Sequence, residues 1–268
     1  MGALAIRRIY AGLSATVLAF VLLPLVAIVW VSFFENRILS FPPTGYTLSW
    51  YARAWEQEAF RNGFLTSVET ALCAVVISLG LGIPGSLALV RYRFLGRDAI
   101  QTLLLAPMVV PGIVGGAALF IAFIELEVLI DRDVTGTFGG LLVAHGLIAL
   151  PWTVRLVTAG LAGANRSCEE AASSLGAAPF TVFRRVTLPM IRPAIVAAAL
   201  FSFVISFIDL EKSIFLVGPG RTTLQIALVS YLEWNLDSTV AAVATVQILI
   251  IGTLLIVSDR YAKLARAF

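Results

Sequence analysis

The chain has 268 residues, 59% of them hydrophobic and 13% charged, with a mean hydropathy of +0.95, and this composition cannot supply the solvated surface of a soluble domain. The formal charge of +3 comes from basic residues distributed by loop rather than gathered into one arm, which argues against a nucleic-acid partner. Cys73 and Cys168 are the two cysteines, and they match neither a disulfide framework nor a metal-ligand spacing.

Six apolar segments follow one another, at residues 10–34, 64–90, 100–124, 138–162, 193–217 and 239–258, each near the roughly 20 residues that an α-helix needs to cross a bilayer. The runs are continuous rather than alternating, which argues against a β-barrel. An even number of spans puts both termini on one side. Loops on that side hold twelve basic residues: Arg7, Arg8, Arg91, Arg93, Arg97, Arg166, Arg184, Arg185, Arg192, Arg260, Lys263 and Arg266. The opposite side holds five, Arg37, Arg53, Arg61, Arg132 and Arg221, so the positive-inside rule turns both termini to the cytoplasm. The expected fold is all-α, a polytopic membrane protein with six transmembrane helices in a single domain over residues 1–268. The first apolar run is too long for a cleaved leader and has no small-residue cleavage site, so it reads as a retained span.

After span 1 comes FPPTGYTLSWYARAWEQEAF, where Pro42, Pro43 and Gly45 mark a turn. Trp50, Tyr51, Trp55 and Phe60 then suit either a short interfacial helix or an aromatic belt at headgroup depth. In span 3, Pro107 and Pro111 remove backbone donors beside Gly112, Gly115 and Gly116, which predicts a kink or unwound turn that lines a path or permits close helix packing. His145, the one histidine, has no second ligand at metal spacing and reads as a hydrogen-bonded packing residue; no metal site is expected. Glu69 and Arg155 stand near span ends and reach water. Asp209, Glu211 and Lys212 lie in the outer half of span 5, with Asp209 and Lys212 one helical turn apart and able to pair.

Between spans 4 and 5 lies a polar stretch containing EEAASSLGAAPFTVFRRVTLP. Ser167 and Glu170 fit a capping box, which predicts a helix starting at Ser167. Gly176 suits a left-handed stop, and Pro179 suits the first turn of a second helix that runs to about Val186 and is ended by Leu188 and Pro189. The product is a bent, amphipathic two-helix element held between two spans.

Glu170, Ala171, Ala172 and Gly176, then Val186 after nine residues, then Leu188 and Pro189, resemble the EAA signature of inner-membrane permeases of binding-protein-dependent ABC importers. That signature has isoleucine where Val186 stands. YRFLGRD after span 2, LLLAPMVVPGIVGG in span 3 and SFIDLEKSIFLVGPG in span 5 are similar to the C-type permease of spermidine/putrescine importers, with permeases for aminoethylphosphonate, opines and ferric iron sharing much of the pattern.

The resemblance implies a type I importer permease of the bacterial inner membrane, non-catalytic, forming half of a solute path for a polyamine or a related small solute. It implies a second permease, as a heterodimer, two copies of a cytoplasmic ATPase, and a periplasmic or lipid-anchored solute-binding protein. Residues 163–192 would be the cytoplasmic coupling loop, with Glu169, Glu170, Ala171, Ala172, Gly176, Val186, Leu188 and Pro189 as its ATPase-facing set. Glu170 would pair with a basic residue of the ATPase. Asp209, Glu211, Pro107 and Pro111 are the candidates for the solute path, although Lys212 departs from the family's usual apolar or small residue and offsets one negative charge. The chain has no GxxxxGK[ST] loop, so it is expected to hold no cofactor itself, with ATP and magnesium bound by the separate ATPase subunits. An intramembrane enzyme is disfavoured by the single histidine and the lack of HExxH or GxSxG, and a receptor has no need of the capped loop.

Overall fold

The computed structural model describes residues 3–37 and 40–266; the side chains of Lys263 and Arg266, counted above, lie outside that description. In chain order the helices are α1 (Ala3–Val31), α2 (Ser49–Glu56), α3 (Glu58–Arg91), α4 (Arg97–Leu105), α5 (Gly112–Ile130), α6 (Phe138–Gly163) and α7 (Arg166–Ser174). They continue as α8 (Pro179–Val182), α9 (Leu188–Met190), α10 (Arg192–Phe207), α11 (Ser213–Leu216), α12 (Leu224–Trp234) and α13 (Thr239–Arg266). A 3₁₀ turn over Ala106–Met108 follows α4, and a π turn over Phe183–Thr187 joins α8 to α9.

Among the described residues five helices are long and apolar enough to cross a membrane: α1, α3, α5, α6 and α13. A sixth crossing counts Pro179–Met190 with Arg192–Phe207, two segments bent by 71°. The break expected in span 3 at Pro107 and Pro111 is present at 106–111, where the prolines remove amide donors needed to continue α4, and the long helix is Gly112–Ile130 rather than 100–124. Span 5 is corrected. The fifth does not run unbroken to 217, since α10 stops at Phe207 and the chain reopens as α11 only at Ser213. The helix α2 is present in the outer loop, and α12 was not anticipated.

The chain divides into two compact units. One comprises Met1–Arg61 and Leu228–Gly252, the other Asn62–Ala227 and Thr253–Phe268. In the first, Phe20, Leu23 and Val26 of α1 are exposed, as suits a helix facing lipid. Trp50 of α2 is buried and its indole Nε1 donates to the Phe34 carbonyl at 2.6 Å. Asp237 Oδ1 accepts from the Thr239 amide and caps α13, while Oδ2 accepts from the Tyr231 hydroxyl at 2.9 Å. Burial raises the Tyr231 phenol above its ordinary range.

In the second unit α10 packs along α6, with Val157, Leu161, Ile191 and Ala198 at the core and Ile83, Leu87 and Val90 of α3 against them. Small polar groups bind the three helices. The Ser202 hydroxyl is 3.2 Å from Ser78, 3.0 Å from Thr153 and 3.3 Å from the Ala149 carbonyl it donates to. Hydrophobic driving force vanishes between helices in lipid, and close packing with interhelical hydrogen bonds replaces it.

Candidate coupling loop and solute path

The helix α7 is capped by Asn165, two residues earlier than the capping-box reading: the Ser167 amide donates to Asn165 Oδ1 at 3.0 Å. The Asn165 side chain reaches the second amide of the helix directly, and the Glu170 carboxylate turns to Arg166 at 3.2 Å instead of back to Ser167. At the other end Gly176 has φ +83°. Its amide donates to the Ser173 carbonyl at 2.9 Å and the Ala177 amide to the Ala172 carbonyl at 3.1 Å, the paired bonds of a Schellman stop. A β carbon on Gly176 would touch nothing within 4 Å, so the requirement is one of backbone angle alone. Gly176→Val is accordingly expected to destabilise the turn by roughly 1–2 kcal/mol, with Gly176→Asn costing distinctly less. Limited proteolysis of the loop in the membrane-inserted protein reads the difference, and equal cleavage of the two variants would refute it.

After the turn, Pro179 opens α8, and the helical path continues without a stop through the π turn to Met190. Leu188 and Pro189 thus lie inside the last helical turn. The loop's two glutamates have opposite fates. Glu169 faces inward, where its carboxylate accepts from Arg91 Nη2 at 3.0 Å and from the Thr187 hydroxyl at 2.9 Å, and lies 2.9 Å from Arg91 Nε as an ion pair. The Arg91 and Glu169 side chains are 13% and 14% exposed. Glu170 is 65% exposed, beside exposed Ala171, Leu175 and Phe180. Ala172, Val186 and Leu188 are half-buried. Arg91 and Thr187 were not singled out from the sequence; Arg91 had counted only as a loop charge.

Asp209 and Lys212 do pair, but not across a helical turn. Asp209 lies in the break before α11, where its Oδ2 accepts from the Lys212 amide at 3.1 Å, the Ser213 amide at 3.0 Å and the Ser213 hydroxyl at 3.2 Å. Its Oδ1 stands 3.9 Å from Lys212 Nζ. His145 bridges the same region, Nδ1 to Ser206 at 2.8 Å and Nε2 to Ser213 at 3.1 Å. Glu211 is exposed and its carboxylate lies over Gly112. Pro107 and Lys212 line one cavity of about 460 Å³; Pro111 is the cap of α5. Glu69 reaches an exposed pair with Arg221 at 3.7 Å, and Arg155 is exposed.

The model of one family, the binding-protein-dependent transport system inner membrane component, matches residues 74–265. The chain belongs to that permease family. The permease is 31% identical over 239 residues to the putrescine transport system permease protein PotI of Escherichia coli K12, covering 89% of this chain and 84% of that one. It is 27% identical over 257 residues to the spermidine/putrescine permease PotC of the same organism, covering 96% and 95%. It is 31% identical over 260 residues to the putative 2-aminoethylphosphonate permease PhnV of Salmonella paratyphi A, again covering 96% and 95%. Among solved structures, a bacterial alginate ABC importer superposes with a TM-score of 0.71 at 19% identity over 95% of this permease and 96% of that chain. The MetNI methionine transporter gives 0.61 at 19% identity over 77% and 95%. The permease is therefore a multi-pass inner-membrane protein, a non-catalytic subunit of ATP-driven importers that work with an ATPase and a solute-binding protein.

Proposed function

We propose that the permease forms half of the path of an importer for small amine-bearing solutes, the class that joins putrescine, spermidine and 2-aminoethylphosphonate, and that residues 163–192 are its docking element for a separate ATPase. The observation that carries the coupling role is the division of labour in the loop: Glu169 is spent on Arg91 and Thr187, while Glu170 is exposed next to apolar Leu175 and Phe180. An exposed carboxylate on a loop that also exposes apolar side chains suits a basic residue in a partner's cleft. On this reading residues 1–268 act as one transmembrane domain, a second, different permease completes the path, two ATPase copies hold ATP and magnesium, and a periplasmic or lipid-anchored protein delivers solute.

Glu170 has only an exposed pair with Arg166 to lose, so its replacement leaves the fold intact. Glu170→Lys is expected to reduce copurification of the ATPase and ATP-driven uptake by about tenfold or more, through like-charge repulsion at the contact. Both are measured after reconstitution with the second permease, ATPase and binding protein. Wild-type values for both would refute the docking assignment, and failure of the wild-type assembly to import putrescine or 2-aminoethylphosphonate would refute the solute class.

A further inference from the structure

The break in span 5 interrupts the route from the loop to the outer half of the membrane. The loop ends in α9 and α10 begins at Arg192, so a displacement of the loop enters α10 directly. The helical ladder then stops at Phe207 and reopens only at Ser213. His145 stands across that gap. Its ring is 1% exposed and comes from α6, the helix along which α10 packs and to which Ser202 ties it through Thr153 and the Ala149 carbonyl. Nδ1 is 2.8 Å from the hydroxyl of Ser206, in the last turn of α10, and Nε2 is 3.1 Å from the hydroxyl of Ser213, the first residue of α11.

The proton positions follow from the partners. The one hydroxyl hydrogen of Ser213 is directed at Asp209, with the carbonyl oxygen at 3.1 Å and Oδ2 at 3.2 Å, and carbonyl and carboxylate oxygens only accept. Ser213 Oγ is therefore the acceptor toward His145, which puts the ring proton on Nε2; in the neutral ring Nδ1 then accepts from Ser206. The hydrogen bonds run in one direction, from Ser206 through the ring to Ser213 and on to Asp209. Asp209 in turn holds the start of α11 by accepting from the Lys212 and Ser213 amides. Leu216 of α11 also packs against Leu141 and Ala144 of α6. Apolar contact is non-directional and lets one helix turn against another, whereas a hydrogen bond weakens steeply with angle.

We propose that His145 is a positioning residue for transport: it joins the α6 and α10 pair to α11, so that displacement of the coupling loop carries the outer part of span 5 with it. The inference rests on the reading of residues 163–192 as the docking element and adds where the movement goes once it enters α10. Without the ring, α10 follows the loop and α11 stays behind, and ATP is hydrolysed while the outer part of the span is still.

The reporter is Ile214, a half-exposed residue of α11, changed to cysteine in an otherwise cysteine-free complex of permease, second permease and ATPase. Reaction of the Ile214→Cys thiol with a maleimide is compared without nucleotide and after trapping with ATP and vanadate. The rate is expected to differ about threefold or more between the two states. Adding His145→Leu is expected to remove that difference while ATP hydrolysis stays within about twofold, a split that damage to the fold does not produce. The leucine leaves Ser206 free to bond the carbonyl one turn back. His145→Gln, whose amide offers one acceptor and a donor, is expected to restore most of the difference. Ser213→Ala is expected to act as His145→Leu does, and the two together no more strongly than either, because both cut one link. Nitrogen NMR of the permease labelled at its one histidine is expected to find the proton on Nε2. A proton on Nδ1, no difference between states in the unmodified background, a difference that survives His145→Leu, or hydrolysis lost along with it overturns the proposal. The docking reading fails separately, on wild-type assembly and uptake by Glu170→Lys.

Discussion

Arg91→Ala is expected to abolish ATP-driven uptake while the protein still inserts in the membrane. The guanidinium supplies one of the two hydrogen bonds to the Glu169 carboxylate and its only ion pair among the described residues, and without it a largely buried carboxylate keeps only the Thr187 hydroxyl. Breaking a buried pair by removing one partner costs roughly 3 kcal/mol at the lower end of the usual range, a value suited to a site near the membrane surface. At about 1.4 kcal/mol per decade, that moves the loop by more than a hundredfold toward detached conformations. Because Arg91 ends α3 and Glu169 lies in the first turn of α7, detachment separates the docking element from a span, and force applied to the loop no longer reaches it. The exchange Arg91→Glu with Glu169→Arg restores opposite charges and is expected to recover part of the uptake, which simple damage to either helix does not allow. Uptake by Arg91→Ala within twofold of wild type sinks the idea.

Gly116→Val is expected to be the most damaging single change in the span-3 region, and Gly112→Ala nearly neutral, although the two glycines lie one turn apart on α5. A β carbon at Gly116 meets the Glu211 carbonyl oxygen at 2.6 Å, Phe215 Cδ2 at 2.8 Å and Lys212 Cα at 3.1 Å. That backbone cannot retreat, because the Asp209 hydrogen bonds fix the break before α11. Overpacking of this kind costs about 1–3 kcal/mol, and valine's further methyls add to it. At Gly112 the same atom meets the Glu211 carboxylate, on an exposed side chain that can swing into solvent, and comes within 3.0 Å of Glu211 Cβ, which needs only a small shift. Thermal unfolding of the purified variants in detergent separates the two, and midpoints lowered equally would show that glycine packing here is not specific to position 116.

Much of this was legible in the sequence, and what escaped it has identifiable physics. Span count and the loop's two helices follow from apolar length, Gly176 and Pro179, all of which are local signals. The Arg91 to Glu169 pair spans 78 residues, and nothing local in either segment names the other. Asn165 displaced Ser167 as the cap because both residue types accept from an amide, and position alone decides which does. The break in span 5 was hidden by its hydropathy: an aspartate that accepts from the amides three and four residues on makes a helix start in the middle of an apolar run.

The π turn at Phe183–Thr187 sets the angular phase of the loop. Five residues on an α-helix advance by about 500°, which leaves the fifth some 140° from the first. Yet Val182 and Thr187 are both buried, at 8% and 3% exposure, on one side of the same helical path. The wider turn takes up the discrepancy, and only with that extra residue accommodated does the Thr187 hydroxyl arrive at Glu169. The nine-residue interval between Gly176 and Val186 is therefore a measure of rotation as well as of length: it dials the inner face of the second helix onto the carboxylate of the first.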